Sequence, residues 1–317
     1  MQKRILSLIV LASLAAPLSS AATYFLPGVS ESGGWHDAEK QWGGVDDNMC
    51  WAAQAACMTQ YWQDWFVKAG NTLPDGTPTG YGASNRQDRI PSSNIFEFYK
   101  DNWTNVGGLA EFSIPWYFTG SPDPEYYRYG YHLQNGWSKL TSNTHAGFFS
   151  DQYSGVDDYM TKEPFMEHRF GQNMYIDDFT ETLMRLITED YSVVGLSITF
   201  WNLQTGETSG HAVTLWGFEL DEAQNEVSAI YITDSDDDIF GLVRYEVDGH
   251  ANLGYDVELP EYLEEGLRGK YDVAIDSFYS LSVADFVVAI PEPSSFGLLA
   301  GVVALGAGAC ARRRRRS

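Results

Sequence analysis

Positive charge is scarce in this chain. Its 317 residues include 20 lysines and arginines against 43 aspartates and glutamates, which gives a net charge of -23. Several of the basic residues lie at the two ends (Lys3, Arg4 and the arginines at 312–316), so the part between them is more acidic still. Such a surface repels nucleic acid and anionic lipid. The composition therefore excludes nucleic-acid binding and limits membrane contact to the terminal segments.

Cysteine is equally scarce, with three residues at positions 50, 57 and 310. Cys50 and Cys57 on one helix would lie about 10.5 Å apart along its axis, whereas a disulfide needs Cα atoms within about 7 Å. Both thiols are therefore predicted to be free. Exported proteins usually pair their cysteines, so a free Cys50 favours a reactive thiol over an inert core cysteine. Cys57, deeper in the helix, is predicted to be a core residue.

The N-terminus indicates export. Residues 1–21 are typical of a signal peptide, because Lys3 and Arg4 precede an apolar segment at 5–14 and small residues at the expected cleavage site. The apolar segment is too short to span a bilayer comfortably.

The C-terminus carries a second targeting pattern. A Pro-Glu-Pro sequence at 291–293 precedes an apolar run at 296–311 and a cluster of arginines. This order resembles the PEP-CTERM sorting signal of Gram-negative bacteria, which implies recognition by an exosortase-type sorting enzyme. The alternative is an ordinary transmembrane anchor with its arginines in the cytoplasm. Either reading predicts an exported protein, in the cell envelope or secreted, and the PEP-CTERM resemblance also implies a Gram-negative bacterium.

Residues 22–290 are predicted to form one α+β domain, since no repeat or low-complexity linker divides them. Loops are expected at 22–45 and 71–89, and 107–175 is expected to hold short strands and long loops. The aromatic residues of that stretch form either the walls of a cleft or core and turns. The remaining patterns predict helices and then a mostly antiparallel sheet. The helices are expected at 49–68, from 92 or 93 to 102 and from 177 or 178 to 190, and the strands at 193–200, 211–220, 227–233, 242–247, 271–278 and 283–290.

The start of the first helix is the candidate site of chemistry. Asp46, Asp47 and Asn48 are residue types that cap helices, and Cys50 follows them. The amide groups and the dipole at a helix N-terminus favour negative charge, so a thiolate at Cys50 is stabilised.

A cysteine nucleophile needs a base, and His211 is the preferred histidine because it opens a strand. If that strand forms a hairpin with the next one, the acidic run at 234–238 lies beside His211. Asp234 and Asp236 then point to the same side of the chain. The acidic run could instead be a solvated turn or a calcium loop, although it lacks the glycine and distal glutamate of an EF-hand. No metal and no cofactor are predicted.

Three separated segments, at 34–53, 210–217 and 230–236, together resemble the IdeS/Mac family of secreted cysteine endopeptidases, known for cutting immunoglobulin G in its hinge. The resemblance implies a papain-like fold in which the helix carrying the cysteine packs against a sheet carrying histidine and aspartate. It also implies that a lysine ten residues before the nucleophile helps the nucleophile's own N–H to stabilise the oxyanion. The roles fall on Cys50 as nucleophile, His211 as base, Asp234 as its orienting group, Asp236 as a second support and Lys40 as the lysine.

The resemblance thus implies an exported endopeptidase acting on a protein substrate, with immunoglobulin as a candidate. Streptococcal members have glycine after the cysteine, whereas this chain has Trp51. The larger side chain is expected to narrow the primed side of the cleft and so change which substrates fit there. Two alternatives stay open: a catalytically idle envelope binding protein on the same fold, and a transglutaminase-like acyl transferase that uses the same triad.

Overall fold

A computed structural model of the protein describes most of the central part of the chain. The predicted tail at 291–317, residues 1–20 of the predicted signal peptide and the aromatic residues at 126–137 lie outside the described residues. Within the described part, no helix is both long and apolar enough to cross a membrane. The described ranges are 21–41, 44–83, 90–108, 110–120, 146–153, 165–169, 176–221, 226–237, 239–248, 255–258 and 271–287.

The central helix, α1, spans Cys50–Lys68 and is buried along almost its whole length. Its alanine-rich first half lets neighbouring backbone approach closely, and the bulkier second half fills the core. The Trp62 ring lies edge-on to Phe118 and Phe149, with centroid distances of 4.7 and 4.9 Å. The predicted helix at 49–68 is confirmed. Its burial is expected, because a helix that is apolar on all sides is stable only when the core surrounds it.

A second layer of helices covers one side of α1. After the two-stranded pair β2 (Tyr81–Gly82) and β3 (Ser92–Ser93), α2 spans Asn94–Asn102. Ser93 caps α2 by accepting a hydrogen bond from the backbone N–H of Phe96 at 3.3 Å. The helix predicted from 92 or 93 to 102 is confirmed.

The expectation of strands and loops is wrong for α3, which spans Ala110–Thr119. Pro115 lies inside this helix, although proline usually interrupts one. Tertiary burial overrides that preference, because Trp116, Tyr117 and Phe118 are each at most 1% exposed. These rings are core, one of the two readings left open for the aromatic stretch. A short helix, α4, follows at Ser150–Tyr153.

The other half of the domain is an eight-stranded antiparallel sheet. Its strands pair as β5–β6, β6–β7, β7–β8, β8–β9, β9–β10 and β10–β5, which is a closed circuit. A further strand, β1, pairs with β6, and β4 pairs with β10. The strands span Ala22–Phe25 (β1), Phe165–Arg169 (β4), Ser192–Asn202 (β5), Thr208–Asp221 (β6), Glu226–Thr233 (β7), Val243–Asp248 (β8), Tyr255–Glu258 (β9) and Tyr271–Ser282 (β10).

The α+β class and most of the predicted strands are confirmed, and so is α5, which spans Ile176–Thr188. Three expectations are wrong. Residues 22–25 are a strand rather than loop, held by the ring of Phe25 against Tyr231 at 4.9 Å. The stretch expected as a loop at 71–89 holds β2. A helical turn, α6, occupies Ala284–Val287 in place of the strand expected at 283–290, because Phe286 packs against Trp62.

Candidate active site

Cys50 is the first residue of α1, as predicted, but the predicted side-chain caps are wrong. Met49 occupies the N-cap position, and no side chain accepts a hydrogen bond there. Asp46 is buried and its carboxylate is used elsewhere, accepting from the backbone N–H of Gln41 at 2.9 Å and pairing with Lys100 at 3.3 Å. The residues before the helix thus form a turn that Gln41 and Lys100 hold in place through Asp46. Cys50 follows this turn as the first residue of α1.

The hairpin of β6 and β7 brings His211 and Asp234 together. Thr214 in β6 is paired with Thr233, the last residue of β7, so the chain leaving β7 runs back beside the start of β6. His211 Nε2 lies 2.6 Å from Asp234 Oδ1, and both side chains are about nine-tenths buried. The predicted juxtaposition of these two residues is present in the structure.

Asp236 lies on the other side of the same ring. Its Oδ2 is 3.4 Å from His211 Nδ1, and its backbone N–H donates to Asp234 Oδ1 at 2.9 Å. Asp234 therefore accepts from both the imidazole and its own loop, which holds the carboxylate in one orientation.

Lys40 reaches the same group of residues from the segment before α1. Its backbone N–H donates to the Ser235 carbonyl at 3.0 Å, which ties the segment to the end of β7. The side chain is 3% exposed, and its ammonium lies 2.8 Å from Asp236 Oδ1 and donates to the Asp47 carbonyl at 2.6 Å. A lysine is rarely so buried unless it is paired. Lys40 is therefore a buried, paired lysine, although lysines are solvent-exposed by default.

The electrostatics of the site favour a thiolate–imidazolium pair. Burial alone raises the pKa of the Cys50 thiol, but the hydrogen bond and the charge of His211, the charge of Lys40 and the backbone N–H of Ala212 together bring that pKa below its ordinary value. Burial by itself lowers the pKa of His211, and the charge and hydrogen bond of Asp234, with Cys50, raise it well above its ordinary value. The two shifts widen the pH range in which thiolate and imidazolium coexist.

Asp234 stays ionised in this setting. Desolvation raises the pKa of its carboxyl, but the charge and hydrogen bond of His211, the backbone N–H of Asp236 and the charge of Lys40 bring that pKa below its ordinary value. Cys57 differs sharply from Cys50. It is buried, and its pKa is raised well above the ordinary value, first by desolvation and then by the charge of Asp37. Both thiols are free, as predicted.

The same side chains offer atoms of metal-ligand type. In the part of the chain that the structure describes, His211, Asp234 and Asp236 present ligand atoms within 4.8 Å of one another. The Lys40 ammonium already supplies a positive charge to Asp236, at 2.8 Å. The arrangement is thus a hydrogen-bonded network with its own internal cation.

Trp51 does not line the cleft in the way the sequence suggested. Its ring is 1% exposed, its indole N–H donates to the Val106 carbonyl at 3.0 Å, and it packs edge-on against Trp103 with centroids 5.1 Å apart. A ring buried in this way cannot present a face to a ligand. The expectation that Trp51 itself narrows the primed side is wrong.

Among the other histidine side chains that the structure describes, His36 is separate from this group. His36 pairs with Asp64 at 3.0 Å and stacks on Tyr81. His132, His145 and His250 lie outside the described residues, and so does the side chain of His168.

Sequence reasoning missed two contributors to the site. The backbone N–H of Ala212 lowers the pKa of the Cys50 thiol, and the ring of Phe200 in β5 lies 6.4 Å from that of His211. Strand alternation could have found Phe200, because Ile198 is the direct partner of His211 and Phe200 follows it on the same face. A backbone donor such as Ala212 leaves no signal in the sequence.

Comparisons with known proteins agree with the sequence resemblance. The model of a family described as Mac 1 matches residues 90–259. The match includes His211, Asp234 and Asp236, whereas Lys40 and Cys50 precede it. A PEP-CTERM protein-sorting motif matches residues 289–315.

One curated relative is the IgM protease of Streptococcus suis (strain P1/7). It is 26% identical over 236 residues, which are 69% of this chain and 19% of the relative. The chain thus spans about a fifth of the length of that relative.

Proposed function

This chain belongs to the Mac 1 family, the IdeS/Mac type, and on that premise we propose that it is an exported cysteine endopeptidase with a papain-like arrangement of catalytic groups. The observation that carries the proposal is the position of His211, which lowers the pKa of the Cys50 thiol and lies 2.6 Å from Asp234. A thiol, a base and an orienting acid in this order are the parts that nucleophilic acyl transfer requires.

The resting state of the proposed enzyme is the ion pair between Cys50 and His211. Because Asp234 contacts Nε2 of the imidazole, Nδ1 is the proposed nitrogen for the thiol, with Asp236 Oδ2 3.4 Å away on the same side of the ring. The first step is attack of the Cys50 thiolate on the carbonyl carbon of a peptide bond, which forms a carbon–sulfur bond and places a negative charge on the carbonyl oxygen.

That oxyanion needs donors that are already in place. The N–H of Cys50 belongs to the first turn of α1, where amide groups have no acceptor inside the helix. Lys40 is the second proposed donor, because its charge already acts on both Cys50 and Asp234. Asp236 and the Asp47 carbonyl hold its ammonium in place. A pre-oriented donor of this kind typically contributes about 3 kcal/mol to the transition state.

The intermediate collapses when His211 protonates the leaving amine, which breaks the carbon–nitrogen bond and leaves an acyl thioester on Cys50. A water molecule then loses a proton to His211 and attacks the thioester. The acid product departs and the ion pair forms again. Asp234 stabilises the imidazolium in both steps and keeps the ring in one orientation.

Immunoglobulin is the proposed substrate class to test first, because the curated relative is named for cutting IgM. Outside the two terminal segments, residues 22–290 are the proposed peptidase domain. We propose export through the signal peptide at 1–21 and recognition of the tail at 291–317 by an exosortase-type enzyme of a Gram-negative bacterium, which fits the PEP-CTERM match.

The test is incubation of IgM, IgG and casein with the wild type and with Cys50→Ala, followed by mass analysis of the fragments. We expect new N-termini with the wild type and none with Cys50→Ala. Crosslinked products would indicate an acyl transferase, and tight binding without fragments would indicate a binding protein. Either result would contradict the proposal.

A further inference from the structure

Gln54 lies one helical turn after Cys50 and carries a side-chain amide into the junction between α1 and the sheet. We propose that Gln54 is a positioning residue, which fixes the distance and direction between the Cys50 sulfur and the His211 ring. This inference rests on the proposed function, since it concerns the reactivity of the same Cys50 thiol.

The Gln54 amide is buried and fully engaged by three different strands. The side chain is 3% exposed, and Nε2 donates to the Leu196 carbonyl of β5 at 2.9 Å and also to the Val213 carbonyl of β6. Its Oε1 accepts from the hydroxyl of Tyr279 in β10. Because carbonyl oxygens can only accept, the two carbonyls require the Nε2 end of the amide to face them, and the Tyr279 hydroxyl then donates to Oε1.

These hydrogen bonds lie directly beside the proposed catalytic pair. Cys50 and Gln54 are four residues apart, which places them on the same side of α1. His211, Ala212 and Val213 are consecutive in β6, and the backbone N–H of Ala212 lowers the pKa of the Cys50 thiol. Gln54 donates to the Val213 carbonyl of the same strand, so a shift of the helix at Gln54 also shifts Cys50 relative to His211.

Directional contacts matter here because apolar burial is not directional. The same-face neighbours of Gln54 on α1, three and four residues away, include the buried Trp51, Cys57 and Met58. Their apolar contacts fill the interface, whereas the Gln54 amide bonds specific backbone atoms of two strands. Catalysis tolerates little displacement, since about 1 Å can cost about 100-fold in rate.

Gly195 in β5 leaves the room that the arrangement requires. A Cβ added there would lie 2.6 Å from Cζ of Tyr279 and 2.9 Å from Cδ of Gln54. Any side chain at this position would push the hydroxyl and the amide apart. Three residues distant in the sequence therefore combine to hold one amide beside the thiol.

Gln63 provides a matched control on the same helix. It is also a buried glutamine whose amide joins α1 to other elements, donating to the Tyr117 hydroxyl at 2.9 Å and to the Pro78 carbonyl at 3.1 Å. Its hydrogen bonds lie far along the helix from Cys50. Gln63→Met should therefore cost stability without changing the thiol.

The experiment measures the rate of Cys50 alkylation by iodoacetamide as a function of pH, read by mass spectrometry of the peptide that contains Cys50. We expect Gln54→Met to raise the apparent pKa of the thiol and to slow alkylation on the acidic side by about tenfold, the change that one pKa unit produces. Peptidase activity should fall mainly in kcat. Tyr279→Phe, which keeps the ring and is the milder change, should shift the profile in the same direction by less.

Wild-type profiles in both Gln54→Met and Tyr279→Phe would overturn the inference, and so would an equal shift in Gln63→Met. Failure of the proposed function has a different signature, namely peptide cleavage that survives in Cys50→Ala. The alkylation profile reports on the thiol whether or not a substrate is cut, so the two failures are distinguishable.

Discussion

His211 Nε2 and Asp234 Oδ1 lie 2.6 Å apart where the end of β7 passes the start of β6. The contact places a carboxylate on Nε2, so Nδ1, which lies 3.4 Å from Asp236 Oδ2, is the nitrogen that we propose for the Cys50 thiol. It also links the charge states of Cys50, His211 and Asp234, so that changing one of them should move the titration of the others.

Replacing the carboxylate should weaken the base. In Asp234→Asn we expect kcat/KM to fall by about 10²- to 10⁴-fold, because the imidazolium loses its counter-ion and the ring its fixed tautomer. The alkaline limb of the pH–rate profile, set by the raised pKa of His211, should move to lower pH. Asp237→Asn, in the same loop, is the control and should keep the wild-type profile. An unchanged alkaline limb in Asp234→Asn would contradict the assigned role.

The same pair predicts how stability depends on pH. Because folding lowers the pKa of Asp234, its carboxylate stabilises the folded state at pH values above the ordinary pKa of 3.8. This stabilisation is lost as the pH falls through the folded-state pKa. Because folding raises the pKa of His211, its imidazolium stabilises the folded state fully at pH values below the ordinary pKa of 6.5. This stabilisation is lost as the pH rises through the folded-state pKa.

The stability difference between the wild type and Asp234→Asn should therefore be largest between those two ordinary values, at about 3 kcal/mol for a buried pair that loses one partner. Urea unfolding at a series of pH values measures it. A difference independent of pH would show that the pair does not carry the charge assigned to it.

Lys40 should act on the transition state more than on binding. Lys40→Met should lower kcat by about 10²- to 10³-fold with little change in KM, as expected for loss of one oxyanion donor. Lys68→Met removes a lysine at the far end of α1, whose ammonium lies over the Trp65 ring; this control should keep near-normal kcat. Steady-state kinetics on one peptide substrate compare the two. Equal effects in both variants would remove Lys40 from the mechanism.

Trp51 should matter for stability rather than for substrate choice. Trp51→Phe loses the hydrogen bond to the Val106 carbonyl and part of the contact with Trp103. We expect the free energy of unfolding to fall by about 1–2 kcal/mol, with the same cleavage sites in a protein substrate. New cleavage sites at unchanged stability would show that the ring reaches the substrate after all.

The sequence predicted the parts of the site that local pattern and strand pairing control. Cys50 at a helix start, His211 at the start of a strand and Asp234 after the next strand follow from periodicity and a hairpin, and the structure brings them together. The misses involve partners distant in the chain. Asp46 was expected to cap α1, but Lys100 and Gln41 hold its carboxylate.

The prediction for the segment that forms α3 was wrong for a related reason. Pro115 and a run of aromatic residues argue against a helix when considered alone, and only the surrounding core, supplied by α1 and α2, makes that helix stable. The strand expected at 283–290 failed likewise, because the apolar residues there fit a helical turn that packs Phe286 against Trp62. Local pattern does not reveal which partner buries an apolar segment.

The central claim is that the Cys50 thiolate breaks peptide bonds. The most direct measurement is the initial rate of hydrolysis of a broad protein panel by the wild type, Cys50→Ala and Cys57→Ala, where Cys57 is the matched control on the same helix. We predict cleavage by the wild type and by Cys57→Ala, and none above the uncatalysed rate by Cys50→Ala. Identical products from the wild type and Cys50→Ala would contradict the account.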